Sequence, residues 1–175
     1  MKENREGYFK RSYKGALALI LVTLSFSGFA AEKLPTPEDY PAVAVNNGQI
    51  ANDIDRRDEF TQRYRTRFKE AMQGKIVFAG EYALAEWGCG GAGCHTVALI
   101  NKRTGRALNK AFSVYYGSDD ENPVAIGEEI IFMQPESRLL FNAGVDEINN
   151  KTFTYYYVLK NDELKLILKF EGYAN

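Results

Sequence analysis

Trp87-Gly88-Cys89-Gly90-Gly91-Ala92-Gly93-Cys94-His95 is the stretch on which the reading of this chain turns. It holds both cysteines, the only histidine, the only tryptophan and four of the fifteen glycines. Any thiol, metal-ligand or imidazole chemistry must pass through these nine residues. Apolar, strand-like runs flank it: Tyr82-Ala83-Leu84-Ala85 before, and Thr96-Val97-Ala98-Leu99-Ile100 after. The stretch therefore reads as the turn of a β-hairpin. Cys89 and Cys94 enclose four small residues, three of them glycine. Glycine lets a chain bend tightly enough to bring two Cα atoms within disulfide reach. A bridge closing so short a loop contributes only about 2 kcal/mol on the chain-entropy model. Its expected task is to pin the turn.

Working outward, Asn101-Lys102-Arg103-Thr104-Gly105 reads as a second hairpin turn, with Gly105 suited to positive φ. Further strands are expected at Ile76-Val77-Phe78, within 111–116, at 129–133, at 138–141, at 153–159 and at 164–170. Lys160-Asn161-Asp162-Glu163 joins the last two as a hairpin connection. Seven or so short strands with close turns predict a mostly antiparallel, meander-like sheet. Before them, residues 55–73 read as one helix capped by Asp53 or Asp55 and stopped at Gly74. Phe60, Tyr64, Phe68 and Ala71 or Met72 recur at helical spacing on one face. Arg56, Arg57, Arg63, Arg65, Arg67 and Lys69 fall mostly on the others and read as a solvated face. Residues 31–54 read as an extended arm held open by Pro35, Pro37 and Pro41, expected either to lie on the domain without pairing deeply or to be disordered over part of its length.

The first thirty residues read as an export signal. Lys2, Arg5, Lys10, Arg11 and Lys14 precede an apolar run over 16–26, and Gly28-Phe29-Ala30 offers a small-residue cleavage site. The run is too short, and too rich in serine and glycine, to favour a permanent span. The expected organisation is thus a signal peptide over 1–30, the arm over 31–54 and one α+β domain over 55–175. Without its first thirty residues the chain carries 17 Lys+Arg against 21 Asp+Glu. Such a surface argues against nucleic acid and against insertion in anionic membranes. The expected location is periplasmic or secreted, where a cysteine pair oxidises.

Catalytic readings of the candidate loop are weaker than the structural one. Cys89, Cys94 and His95 match a Cys-x4-Cys-His spacing that resembles haem attachment sites of some multihaem cytochromes, with His95 as proximal ligand. No second histidine exists to serve as distal ligand, and the flanks read as sheet. Cys94 and His95 are adjacent and would point to opposite faces of a strand, which disfavours a nucleophile–base pair. Two cysteines and one histidine within seven residues are too cramped for zinc, so no metal and no cofactor is expected. Asp119, Asp120 and Glu121 with Glu128 and Glu129 match no EF-hand spacing. Tyr155-Tyr156-Tyr157 with Tyr115-Tyr116 reads as ordinary two-sided strand alternation rather than an exposed aromatic platform.

Several landmarks together resemble an uncharacterised family of small secreted bacterial proteins. They are Tyr64-Arg65-Thr66-Arg67-Phe68, Phe78-Ala79-Gly80-Glu81-Tyr82, Trp87-Gly88-Cys89-Gly90 with Cys94, the segment from Ile100 to Gly105, and Pro135-Glu136-Ser137-Arg138-Leu139-Leu140. The resemblance covers roughly residues 40–170. In that family the second motif commonly carries histidine where Glu81 stands here, and His95 is not a family position. The resemblance implies a shared fold and a cysteine-pinned loop, and supplies no activity. The functional expectation is a non-catalytic binding or inhibitor-like module acting on an envelope protein or cell-wall component. Its candidate loop is Trp87, Gly88, Cys89, Gly90, Cys94 and His95, with no catalytic residue assigned. The alternative is a cell-envelope hydrolase using Glu81, Glu86 or His95.

Overall fold

An alanine-rich strand face receives the helices, and that match of small to large organises the domain. The computed structural model describes residues 33–173 apart from 47, 49, 92 and 117–124. Residues 1–30, read above as an export signal, and the acidic residues Asp119, Asp120 and Glu121 lie outside the described residues. Among the described residues eight strands form one sheet: β1 (Tyr82–Gly88), β2 (His95–Asn101), β3 (Ala107–Tyr116), β4 (Ala125–Gly127), β5 (Glu129–Phe132), β6 (Leu139–Asp146), β7 (Lys151–Lys160) and β8 (Glu163–Glu171). Their order is β1-β2-β3-β4-β6-β7-β8, with β5 also on β6. Every pairing is antiparallel except the single Ile126↔Val145 match between β4 and β6. The fold is α+β with a meander-like sheet. Among the described residues no helix is long and apolar enough to cross a membrane.

Side-chain alternation sorts the sheet into three layers. Ala83 and Ala85 of β1, Ala98 and Ile100 of β2 and Ala107 of β3 share a face with Phe68, Ala71 and Met72. The opposite face carries Tyr82, Leu99, Leu108 and Phe112, which pack against Leu140 of β6 and Tyr157 and Leu159 of β7. The sheet therefore curls so that its two halves enclose a common core. The outer face of the second half holds Leu139, Tyr156 and Val158, with Tyr40 of the arm packed onto it. β7 is central and covered on both faces, so its tyrosines are structural filling.

Two expectations need correction. The single helix over 55–73 is instead α1 (Glu59–Arg63) and α2 (Arg65–Met72), separated by Tyr64 at φ −107°, ψ 27°. Its cap is Asp58, which accepts from the Thr61 backbone N–H at 2.8 Å and the Thr61 hydroxyl at 2.6 Å. Asp53 and Asp55 are engaged in local turns, accepting from the amides of Ile54 and Arg57. The Asp55 amide meanwhile donates to the Gly105 carbonyl at 2.7 Å, holding this segment out of the helix. Thr61, fully buried, also accepts from the Ala107 amide at 2.9 Å and so ties the helix start to β3.

The second correction concerns Ile76-Val77-Phe78, which is not a strand. Phe78 only bridges Tyr82 across a tight turn. Ala79 and Gly80 take positive φ there, at 48° and 77°. A carbonyl of this turn explains the conformation: Gly80 accepts from the Asn46 amide at 2.7 Å, so the arm crosses directly over it. Elsewhere the arm rests on the sheet, with Pro41 bridging Ser137 and the Ser137 hydroxyl donating at 3.1 Å to the Pro37 or Tyr40 carbonyl.

Candidate functional site

The β1–β2 ladder runs in unbroken register from Tyr82↔Asn101 to Gly88↔His95. Beyond the last pair the chain turns through the cysteine loop. Cys89 and Cys94 are disulfide-bonded with a Cα–Cα separation of 5.3 Å. The loop also closes through Cys89 N–H to Cys94 O and Cys94 N–H to Gly91 O, each 3.3 Å. Gly90 at φ 133° and Gly93 at φ 66° supply conformations that other residues adopt only with strain. Cys89, Gly90, Gly91 and Gly93 are all exposed. The result is an exposed tip closed at its base by the disulfide and these two backbone hydrogen bonds.

The tip has two unlike sides. On the helix side, Trp87 stacks on Tyr64 with ring centroids 4.6 Å apart and meets Phe68 edge-on at 6.2 Å. Arg63, Tyr64, Thr66, Arg67, Trp87 and Gly88 line an open depression of about 210 Å³. Arg63 and Arg67 are held over the helix surface by Glu59 at 2.5 Å and Glu70 at 3.2 Å. These exposed pairs are worth at most about 1 kcal/mol each, so either guanidinium can be redirected cheaply. On the opposite side, His95 lies near Tyr116, with ring centroids 6.2 Å apart. The Tyr116 hydroxyl donates to Glu129 at 3.0 Å.

The residues of the hydrolase alternative are not gathered into one site. Glu81 precedes β1 and lies seven residues along the ladder from the Gly88↔His95 pair, about 23 Å at roughly 3.3 Å per residue. Glu86 faces Val97 and so shares a sheet face with His95, two residues away, yet no hydrogen bond joins them among the described residues. Both cysteine sulfurs are occupied by the disulfide, so thioether attachment of haem would first require it to open.

Glu81 is engaged elsewhere. It accepts from Arg103 at 2.6 and 3.1 Å and from the Asn101 amide group at 2.9 Å. The Arg103 hydrogen bond, with Asn101 adding to it against partial burial, holds the carboxyl below its ordinary range. A depressed folded-state value gives stability that is present above the unfolded value and lost as pH falls through the folded one. Glu81→Gln is therefore expected to remove part of the acid limb in a plot of melting temperature against pH below about 4.5. A limb of unchanged steepness would show that the ion pair adds nothing.

Sequence reasoning found the cysteine loop but not its neighbour across the helix. Trp87 and Tyr64 are 23 residues apart in the chain. The only available signal was parity: Trp87 shares its strand face with Ala83 and Ala85, the face that must receive the helix. Comparison of the chain with protein-family models, with curated proteins and with solved structures gives no match.

Proposed function

We infer that this protein is an exported, non-catalytic binding or inhibitor-like module that presents its cysteine-pinned hairpin tip to an envelope protein or cell-wall component. The observation that carries this reading is an exposed, disulfide-closed loop set beside a half-buried Trp87–Tyr64 stack. A loop ordered in advance loses little entropy on association, so more of the contact energy appears as affinity. Tryptophan, tyrosine and arginine are the residues that most often dominate such contacts. The depression at Trp87 is small enough to seat one partner side chain rather than a whole cofactor.

A disulfide in a small domain is the usual sign of an oxidising compartment, which supports export. The motif resemblance to small secreted bacterial proteins points the same way. Glu81, kept ionised by Arg103, is poorly suited to donate a proton near neutral pH, which favours the non-catalytic reading over the hydrolase.

Wild type, Trp87→Ala, the double variant Cys89→Ser/Cys94→Ser and His95→Gln are to be immobilised and exposed to envelope extract, with a hydrolase substrate panel run alongside. A specific partner should be retained by wild type and His95→Gln and lost or weakened at least tenfold by Trp87→Ala, a loss of about 1.4 kcal/mol. The double serine variant should lose about 2 kcal/mol of stability and bind less tightly. Turnover of any substrate that disappears in Glu81→Gln, Glu86→Gln or His95→Gln would overturn the reading.

A further inference from the structure

At the opposite end of the β1–β2 hairpin from the disulfide lies a second cleft, of about 320 Å³. Its charged and polar walls come from segments far apart in sequence: Glu81 just before β1 and Tyr82 at its start, Arg103 in the β2–β3 turn, Arg138 before β6 and Asp162 in the β7–β8 turn. Glu81 and Arg103 neutralise each other through a two-point ion pair. The other two charges are not neutralised in this way. Arg138 donates only to neutral carbonyls, from Nε to Pro41 at 3.0 Å and from Nη1 to Leu159 at 3.4 Å. Asp162 accepts from the neutral Tyr82 hydroxyl at 2.8 Å. Among the described residues neither forms a salt bridge, although the Asp162 carboxylate also acts electrostatically on Arg103 across the cleft, adding to the upward push on its guanidinium. Tyr82 forms a rigid floor, its side chain almost wholly buried.

The geometry points to a site for a small zwitterion, a free α-amino acid or a short peptide, with its carboxylate on Arg138 and its ammonium on Asp162. A guanidinium fork with an unused Nη2 is the preferred partner of a carboxylate. An isolated anion entering this cleft meets the carboxylates of Asp162 and Glu81, and an isolated cation meets Arg138 and Arg103. Only a ligand carrying both signs leaves no charge opposed. The volume lies at the small end of ligand pockets, which begin at about 300 Å³, and suits one or two amino-acid residues. This site is separate from the hairpin tip and does not depend on what the tip binds.

The test is a titration followed by amide chemical shifts. Alanine, alanyl-alanine, acetate and methylammonium are added to about 10 mM, which reads dissociation constants in the weak millimolar range. Each goes into wild type and Asp162→Asn. Asparagine tolerates the positive φ of position 162 and keeps an acceptor for Tyr82, so the fold should survive, and the spectrum itself reports this. At least one zwitterion should shift the amides of Glu81, Arg103 and the β7–β8 turn, while acetate and methylammonium bind at least tenfold more weakly. Asp162→Asn should weaken the zwitterion about tenfold to a hundredfold, the range for loss of one charge-assisted hydrogen bond. Silence from both zwitterions overturns the proposal. So does acetate or methylammonium binding as tightly as either zwitterion, or an affinity unchanged in Asp162→Asn. The single-charge probes need no variant, so a misfolded Asp162→Asn would still leave the proposal open to refutation.

Discussion

Phe68→Ala is expected to cost about 3–5 kcal/mol of folding stability, the range for deleting a buried aromatic ring. The Phe68 side chain is fully buried. It sits on the alanine face of β1 and β2, with Phe60 at 5.7 Å and Trp87 at 6.2 Å between ring centroids. Alanines cannot extend to fill the space a deleted ring would leave, so the cavity term should be near its maximum. The same deletion removes one wall behind Trp87, and the Tyr64–Trp87 stack should loosen with it. Urea unfolding gives the number from the shift in midpoint at constant slope. A loss below about 1 kcal/mol would show that the helix pair is loosely seated.

Gly80→Ala is expected to be the most damaging single-methyl change, at roughly 2–4 kcal/mol. Gly80 sits at φ 77°, where an L-residue is strained by about 1–2 kcal/mol. A Cβ there would lie 1.9 Å from the carbonyl oxygen of Ala44 and 2.9 Å from its carbon. Both are backbone atoms of the arm, which cannot turn aside as a side chain would. The arm must lift, and the Asn46–Gly80 hydrogen bond should go with it. Hydrogen exchange at the Asn46 amide and proteolysis within 41–50 should both accelerate. Gly90→Ala is the control: it also has positive φ, but an added Cβ meets nothing within 4 Å, so it bears the backbone strain alone. Equal melting temperatures for the two variants would remove the steric argument.

The sheet was readable because its signals are local. Glycine at 105 takes φ 71° in the turn where such a conformation was expected. Asn161 and Asp162 both take positive φ, as the tight hairpin connection requires. Alternation along β7 was enough to mark it as covered on both faces. The disulfide followed from spacing and glycine content, since two cysteines allow a single pairing. Strand ends were less legible: β6 continues to Asp146, five residues past the expected stop, because its last pairs are set by register with β7.

Phe78-Ala79-Gly80-Glu81-Tyr82 shows where local reading fails. Its apolar composition suits a strand, and nothing nearby in sequence announces that the arm will cross it and require a turn. The helix break at Tyr64 has a similar origin, for periodicity alone runs through it. Stacking on Trp87 and the anchorage of Thr61 on β3 belong to partners 23 and 46 positions away. The cleft of Arg138 and Asp162 is the extreme case. Neither residue stood out by composition or spacing, and only the return of β6 and β7 against β1 brings them together around Tyr82.

By itself, then, the chain's order of residues determined the hairpins, the bridged loop and the face of each strand, because turn chemistry and two-residue alternation act within a few positions. Tertiary structure alone decided the path of the arm, the division of the helix and the meeting of charges at the far cleft. Those depend on burying one distant segment against another, and that free energy exists only once the sheet has curled.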